Sequence, residues 1–306
     1  MICFRPCFIN LRKTMGVLSR LVALVVLTAS ATGCANLEAV RDFAGSSAKL
    51  TAYKDVTLRY VDSANRRLLE IPSTSRFAAE AASIRETSAD MKRQKDDLLK
   101  LHNAATGYMA ALASLAGDEA FDISGDIDKV VGSIAAIPKL GITETHAKAF
   151  SGIAQKVASW ILAAKQSKDV RTMVKAYGAD MDQVLEAMEF AAKNYEGVLK
   201  NEASSIDSYQ EARLAAWSPT AEEMAQVNPR RLLIVSLADR SGRLLSKESD
   251  DAVEAAKAAG KGVTTVREGH KEMLKNVDRL EAKDVVAQLK KAAAELKEIR
   301  SNLRKL

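Results

Sequence analysis

Cysteine is almost absent from this chain, and where the three fall matters more than their number. Cys3 and Cys7 lie in the first ten residues, which leaves Cys34 alone in everything that follows. A lone thiol cannot close an intramolecular disulfide, so the stability of the main body has to come from burial. Aromatic residues make up 5% of the chain and prolines number five. No segment alternates apolar and polar residues for long enough to pair into a sheet, which excludes an all-β class. The apolar run Leu21–Leu27 is about half the roughly 20 residues that span a bilayer, so it does not read as a permanent transmembrane helix. The three histidines, His102, His146 and His270, are far apart and belong to no HxxxH or HExxH pattern, which argues against zinc.

What is present begins at the N-terminus. Residues 1–20 carry Arg5, Arg12, Lys13 and Arg20 and no acid; the apolar run follows, then the small residues Thr28 to Gly33. This order of basic, apolar and small is that of a secretory signal peptide, and Met15 to Gly33 alone has the length of one. Ala31-Thr32-Gly33-Cys34 then resembles the lipobox of bacterial lipoproteins, fitting three of its four positions. The resemblance implies cleavage before Cys34, lipid on that cysteine and attachment to an envelope membrane. Ala35, standing where an Asp would imply retention at the inner membrane, points to the outer membrane, facing the periplasm. Ala29-Ser30-Ala31 is a rival A-x-A site, at which ordinary signal peptidase would release a soluble product.

Residues 1–33 hold four cations and no anion, so removing them lowers the net charge from +6 to +2. The basicity therefore belongs largely to the leader, and no nucleic-acid partner is expected. Alanine supplies 48 of residues 34–306. That is a helix-former's composition whose small side chains let helices approach closely.

Periodicity agrees. Leu50, Tyr53, Thr57, Tyr60, Ala64 and Leu68 mark one face of a helix over 37–71 that ends at Pro72. Phe77, Ile84, Met91, Leu98, Ala105 and Leu112 recur every seven residues, with Ala81 and Met109 on the same seam, in a helix running to about Gly117. Together they predict a long antiparallel hairpin over 34–117. Residues 118–142 read as an apolar Gly/Pro-containing connector with a short helix around 127–137. A bundle over 143–306 follows, continuous with the hairpin, with a helix at 145–165 carrying Phe150, Ile153, Val157 and Ile161. Val170, Tyr177, Val184, Ala191 and Val198 then alternate with Val174, Met181, Met188 and Tyr195 in a helix reaching Trp217. Pro229 opens another, and Val285, Leu289, Ala292, Leu296, Ile299, Leu303 and Leu306 stripe the last. The expected fold is all-α: an elongated bundle of six to eight helices with long antiparallel hairpins and coiled-coil-like packing.

The chemical motifs are weak. Ser46-Ser47-Ala48-Lys49 matches SxxK but lacks its SDN and KTG companions. Residues 260–265 have phosphate-loop residue types without the spacing, and read as a weak point in a helix. Asp122, Ser124, Asp126 and Asp128 alternate as calcium ligands do, yet Ile127 and Ser133 stand where an EF-hand needs Gly and Glu. No catalytic residue, metal or cofactor is expected. The sequence points to a lipid-anchored helical protein that supports or binds an envelope partner. A membrane-active protein, by analogy with helical pore-forming toxins, and an enzyme without a recognisable motif are the alternatives. The segments 104–117 and 129–142 are almost free of charge, so Tyr108, Met109, Leu112, Leu115, Ile134 and Ile137 are either the tightest core or an apolar head that meets a partner.

Overall fold

The computed structural model describes residues 37–50, 52–117, 132–166, 169–217 and 229–303. The leader and lipobox, residues 118–131 and the last three residues therefore lie outside the described part. Seven α-helices run through the described residues: α1 (Glu38–Ala48), α2 (Ala52–Glu70), α3 (Ala78–Leu115), α4 (Glu144–Gln166), α5 (Val170–Trp217), α6 (Pro229–Lys275) and α7 (Lys283–Leu303). They pack against one another as an all-α bundle, and the only β pairing among the described residues is an isolated bridge between Ile137 and Ile142.

Two antiparallel hairpins make the frame. α2 and α3 join through Pro72 and a 3-10 turn at Ser75–Phe77, with Arg67 of α2 paired to Glu80 of α3. α5 and α6 form the larger one; 48 and 47 residues give each a length of about 70 Å at 1.5 Å per residue. The heptad seams are the buried faces. Ile84, Met91, Leu98, Ala105 and Leu112 of α3 share one core with Val174, Met181, Met188 and Tyr195 of α5. α4 lies against α3 and α5, and α7 returns along α6 and α1 with Val285, Leu289 and Leu296 fully buried.

Two expectations fail locally. The helix expected over 37–71 is broken between Ala48 and Ala52. Ser47 Oγ donates to the Phe43 carbonyl, competing with the helical ladder, and Leu50 N–H closes a turn on Ser47 O. The break lets Leu50 and Phe43 reach α6, where Gly262 and Gly269 receive them; a β-carbon at Gly269 would stand 2.4 Å from the Phe43 ring. The short helix expected around 127–137 is likewise not seen in its described part, because residues 133–136 have no regular structure. Residues 260–265 lie inside a helix as expected, and α6 is continuous through Gly260 and Gly262.

Candidate functional site

The six residues singled out as a possible head lie in the core. Tyr108, Met109, Leu112 and Leu115 of α3 and Ile134 and Ile137 of the connector are all buried. The physical reason is coverage from several sides: α3 packs on α1, α2, α4 and α5, and Tyr108 meets the His270 ring of α6 edge-on at 5.5 Å. These six side chains are packed in the bundle, while Gly132, Ser133, Ala135, Pro138 and Lys139 between and beside them are exposed.

The histidines are core residues with separate partners. His146 Nδ1 accepts the Thr143 N–H at 3.0 Å, which assigns the proton to Nε2, 3.4 Å from Glu186. His270 Nε2 sits 3.3 Å from the Tyr108 hydroxyl, and burial lowers its pKa to about 4, so it is neutral near pH 7. His102 stacks flat on Tyr53, whose hydroxyl donates to the Met188 carbonyl. Burial also pushes the Tyr60 phenol up to about 12 and raises Tyr53, Tyr108 and Tyr195, so none is an accessible phenolate. Ser46, the first residue of the SxxK match, is buried.

Charged groups inside the bundle pair across helices. Glu202 of α5, 1% exposed, takes Arg66 Nε at 2.7 Å and Arg59 Nη2 at 3.1 Å from α2, while Arg59 also reaches Glu248 of α6. Arg267 of α6 holds Asp182 at 3.1 Å and Glu186 and Glu189 at 2.6 Å, all from α5. Burial acts to lower the Arg267 pKa, but the three carboxylates overcome it and the net shift is upward. For Glu186 burial acts to raise the pKa, yet hydrogen bonds from Arg267 and His146 leave it lowered. These clusters fasten helices together, and among the described residues no group of three or more His, Cys, Asp or Glu is placed to hold a metal ion.

Concavities offer little. A void of ≈ 20 Å³ under Leu50, His102, Thr106 and Met188 has room for about one water. An open cleft of ≈ 350 Å³ lies between α3 and residues 135–139, lined by Asp90, Arg93, Gln94 and Asp97. Its charges pin the connector: Asp97 accepts from Ala135 N–H at 3.0 Å, Lys100 donates to the Ser133 carbonyl, and Lys139 stands 3.5 Å from Asp90.

The uncovered apolar surface is elsewhere. Leu232 is 47% exposed, Leu233 59%, Ile234 54% and Leu237 57%, all in the first turns of α6, and Leu244, 62% exposed, lies past Gly242 beside the flanking hairpin. The cause is a mismatch of hairpin lengths. Glu70, the end of α2, meets Arg213 and Gln210 of α5, and Gln210 in turn packs on Gly242 of α6. α6 continues to Pro229, about 20 Å beyond that level. The first turns of α6 thus project past the end of α2, where Leu69 is also 73% exposed. Sequence reasoning missed this site; the signal was Arg230-Arg231-Leu232-Leu233-Ile234-Val235, whose uninterrupted apolar run reads as core. Farther along the bundle, the heptad line of Leu233 carries Lys247, Glu254, Lys261 and Glu268, so leucine occupies a solvent-facing register.

No helix among the described residues is long and apolar enough to cross a membrane. No family model, no curated protein and no solved structure matches the chain.

Proposed function

We propose that this protein is a lipid-anchored helical module of the bacterial envelope, held by lipid on Cys34 and acting as a structural, partner-binding rod. The observation that carries this reading is the placement of the exposed apolar tip relative to the N-terminus. Phe43 faces Gly269 and Leu50 faces Gly262, so α1 runs opposite to α6 and Leu37 lies level with the C-terminal end of α6. From there to Leu233 is about 60 Å along the helix. Only residues 35 and 36 separate Cys34 from Leu37. An anchor at one end and an uncovered contact surface at the other are what a spacer or scaffold requires. Ala35, standing where an Asp would imply retention at the inner membrane, supports an outer-membrane location facing the periplasm. A pore-forming reading rested on an apolar head at 104–142, and its named residues are core, so nothing favours it.

Metabolic labelling with an alkyne fatty acid tests the anchor: the wild-type chain takes the label and Cys34→Ala does not. An unlabelled wild-type chain would refute the tether. A photo-crosslinker at Leu237 in intact cells tests the tip. Adducts there, and none at the solvent-facing Lys261 of the same helix, are expected; equal yields at both would remove the tip as the working surface.

A further inference from the structure

We infer that the seam of α6 from Ile234 to Leu244 docks an amphipathic helix of another protein, one with apolar residues at heptad spacing and acids along one flank. This rests on the reading of the uncovered part of α6 as the working surface and names the class of partner it takes. Three observations select that occupant.

The first is continuity with an interface the fold already uses. On a seven-residue repeat, Gly269, Gly262, Glu248, Ser241 and Ile234 fall on one line of α6, and Thr265, Leu244 and Leu237 fall on the line beside it. Toward the C-terminus this seam is covered. Gly269 receives Phe43 of α1, Gly262 receives Leu50 from the turn that follows, and Thr265 is buried. Glu248 pairs with Arg59 of α2. Toward the N-terminus the same two lines carry Ile234, Leu237 and Leu244, all exposed. The seam thus meets α1 and α2 along one half of α6 and continues as an apolar face along the other.

The second is spacing. Ile234, Leu237, Ser241 and Leu244 stand at i, i+3, i+7 and i+10, the pattern into which a facing helix fits its side chains. The stretch is about 15 Å long, three turns of a helix. Its backbone groups are spent within α6, so an added strand finds nothing to pair with. Leu244 lies past Gly242 beside the flanking hairpin. The seam therefore runs along the side of the bundle, where a rod-shaped partner fits and a bilayer met end-on does not reach.

The third is charge. Arg240 and Lys247, one heptad apart and both exposed, border the seam on one side, while Ala238 and Leu245 border it on the other. A second copy laid antiparallel would set the basic border against itself; laid parallel, it would set that border against uncharged residues. Neither arrangement supplies a counter-charge. A partner helix with Asp or Glu along the facing flank does, and since Lys247 already holds Asp251 of its own helix at 2.6 Å, Arg240 is the main contact for it.

The experiment places a photo-crosslinker singly at Ile234, Leu237, Leu244 and Leu232 of the full chain in intact cells. Leu232 is also exposed but lies on the opposite side of α6 from the seam, so it reads mere proximity. Adducts with one protein are expected at the three seam positions, with severalfold lower yield at Leu232. The attachment points in that protein should fall in one segment, three, four or seven residues apart. A synthetic peptide of the mapped segment should gain helicity on binding the purified chain. Leu237→Ser/Leu244→Ser should weaken that binding about tenfold with an unchanged helical spectrum and melting temperature, because both side chains are exposed. Arg240→Glu should weaken it more at low salt than at high. Protein adducts of equal yield at Leu232, attachment points without helical spacing, or peptide binding that ignores the leucine pair would each overturn the inference and leave the scaffold reading standing. Adducts only with a second copy of this chain or only with lipid would overturn it as well. No adduct at any of the four positions would remove both.

Discussion

The ring of Phe43 lies directly over the α-carbon of Gly269, so that a methyl group added there would meet Cε2 at 2.4 Å and Cζ at 2.5 Å. Both partners are buried, and the ring has nowhere to go. Gly269→Ala should therefore destabilise the fold by about 1–3 kcal/mol through overpacking, despite alanine's better helix propensity. Gly197, on the exposed face of α5, has nothing within 4 Å of the place an added methyl group would take. Gly197→Ala should stabilise by about 0.5–1 kcal/mol. Urea midpoints at unchanged slope read both; the same sign for the two substitutions would contradict the packing account.

Glu202 is the shared acceptor of two arginines and has almost no contact with solvent. Glu202→Ala leaves Arg59 and Arg66 without it, and should cost about 3 kcal/mol. Glu202→Gln keeps an acceptor oxygen and should cost less. Thermal melts of the two variants give the order; equal losses would mean that shape and not charge holds the cluster.

His270 ties stability to pH. Its folded pKa of about 4 lies below the ordinary 6.5, so the unfolded chain binds the proton first as pH falls. The stability is fully present above about 6.5 and drains away down to about 4, a total of roughly 3 kcal/mol at ~1.4 kcal/mol per unit. Asp182 is the charged group that opposes this shift. Between pH 6.5 and 5, above the range of most carboxylates, His270→Gln should flatten the dependence. A wild-type-like slope in the variant would show that other groups carry it.

Leu296 of α7 is packed between the surrounding helices at 1% exposure. Leu296→Asp places an unpaired carboxylate there and should cost on the order of 3–5 kcal/mol. Limited proteolysis should then cut within α7, with the core of α3 and α5 persisting longer. Wild-type resistance would show that α7 contributes nothing to the fold.

Much of this bundle was legible in the sequence. The seven-residue spacing of Ile84, Met91, Leu98, Ala105 and Leu112 maps directly onto buried positions, and Pro72 ends α2 as expected. The break before Ala52 was not legible, because Leu50, Tyr53 and Thr57 keep helical spacing across it. Only the slot at Gly262, more than 200 residues away, explains why Leu50 turns aside. The candidate surface inverted for a related reason. Tyr108-Met109 and Leu232-Leu233 are both charge-free apolar stretches, and local pattern assigns them the same fate. What separates them is where the neighbouring helices stop, a property of the assembled bundle and of no single segment.

The contact between α1 and α7 joins the two ends of the described chain, with Glu38 standing 4.0 Å from Lys290. Closing a flexible loop of about 250 residues costs on the order of 5 kcal/mol in chain entropy, whereas α1 packs most extensively on α3, which lies much nearer in sequence. At eleven residues it is the shortest of the described α-helices. If the chain is tethered through Cys34 as proposed, a pull from that end loads α1, which is held by its packing on α3 and α7, before either long hairpin.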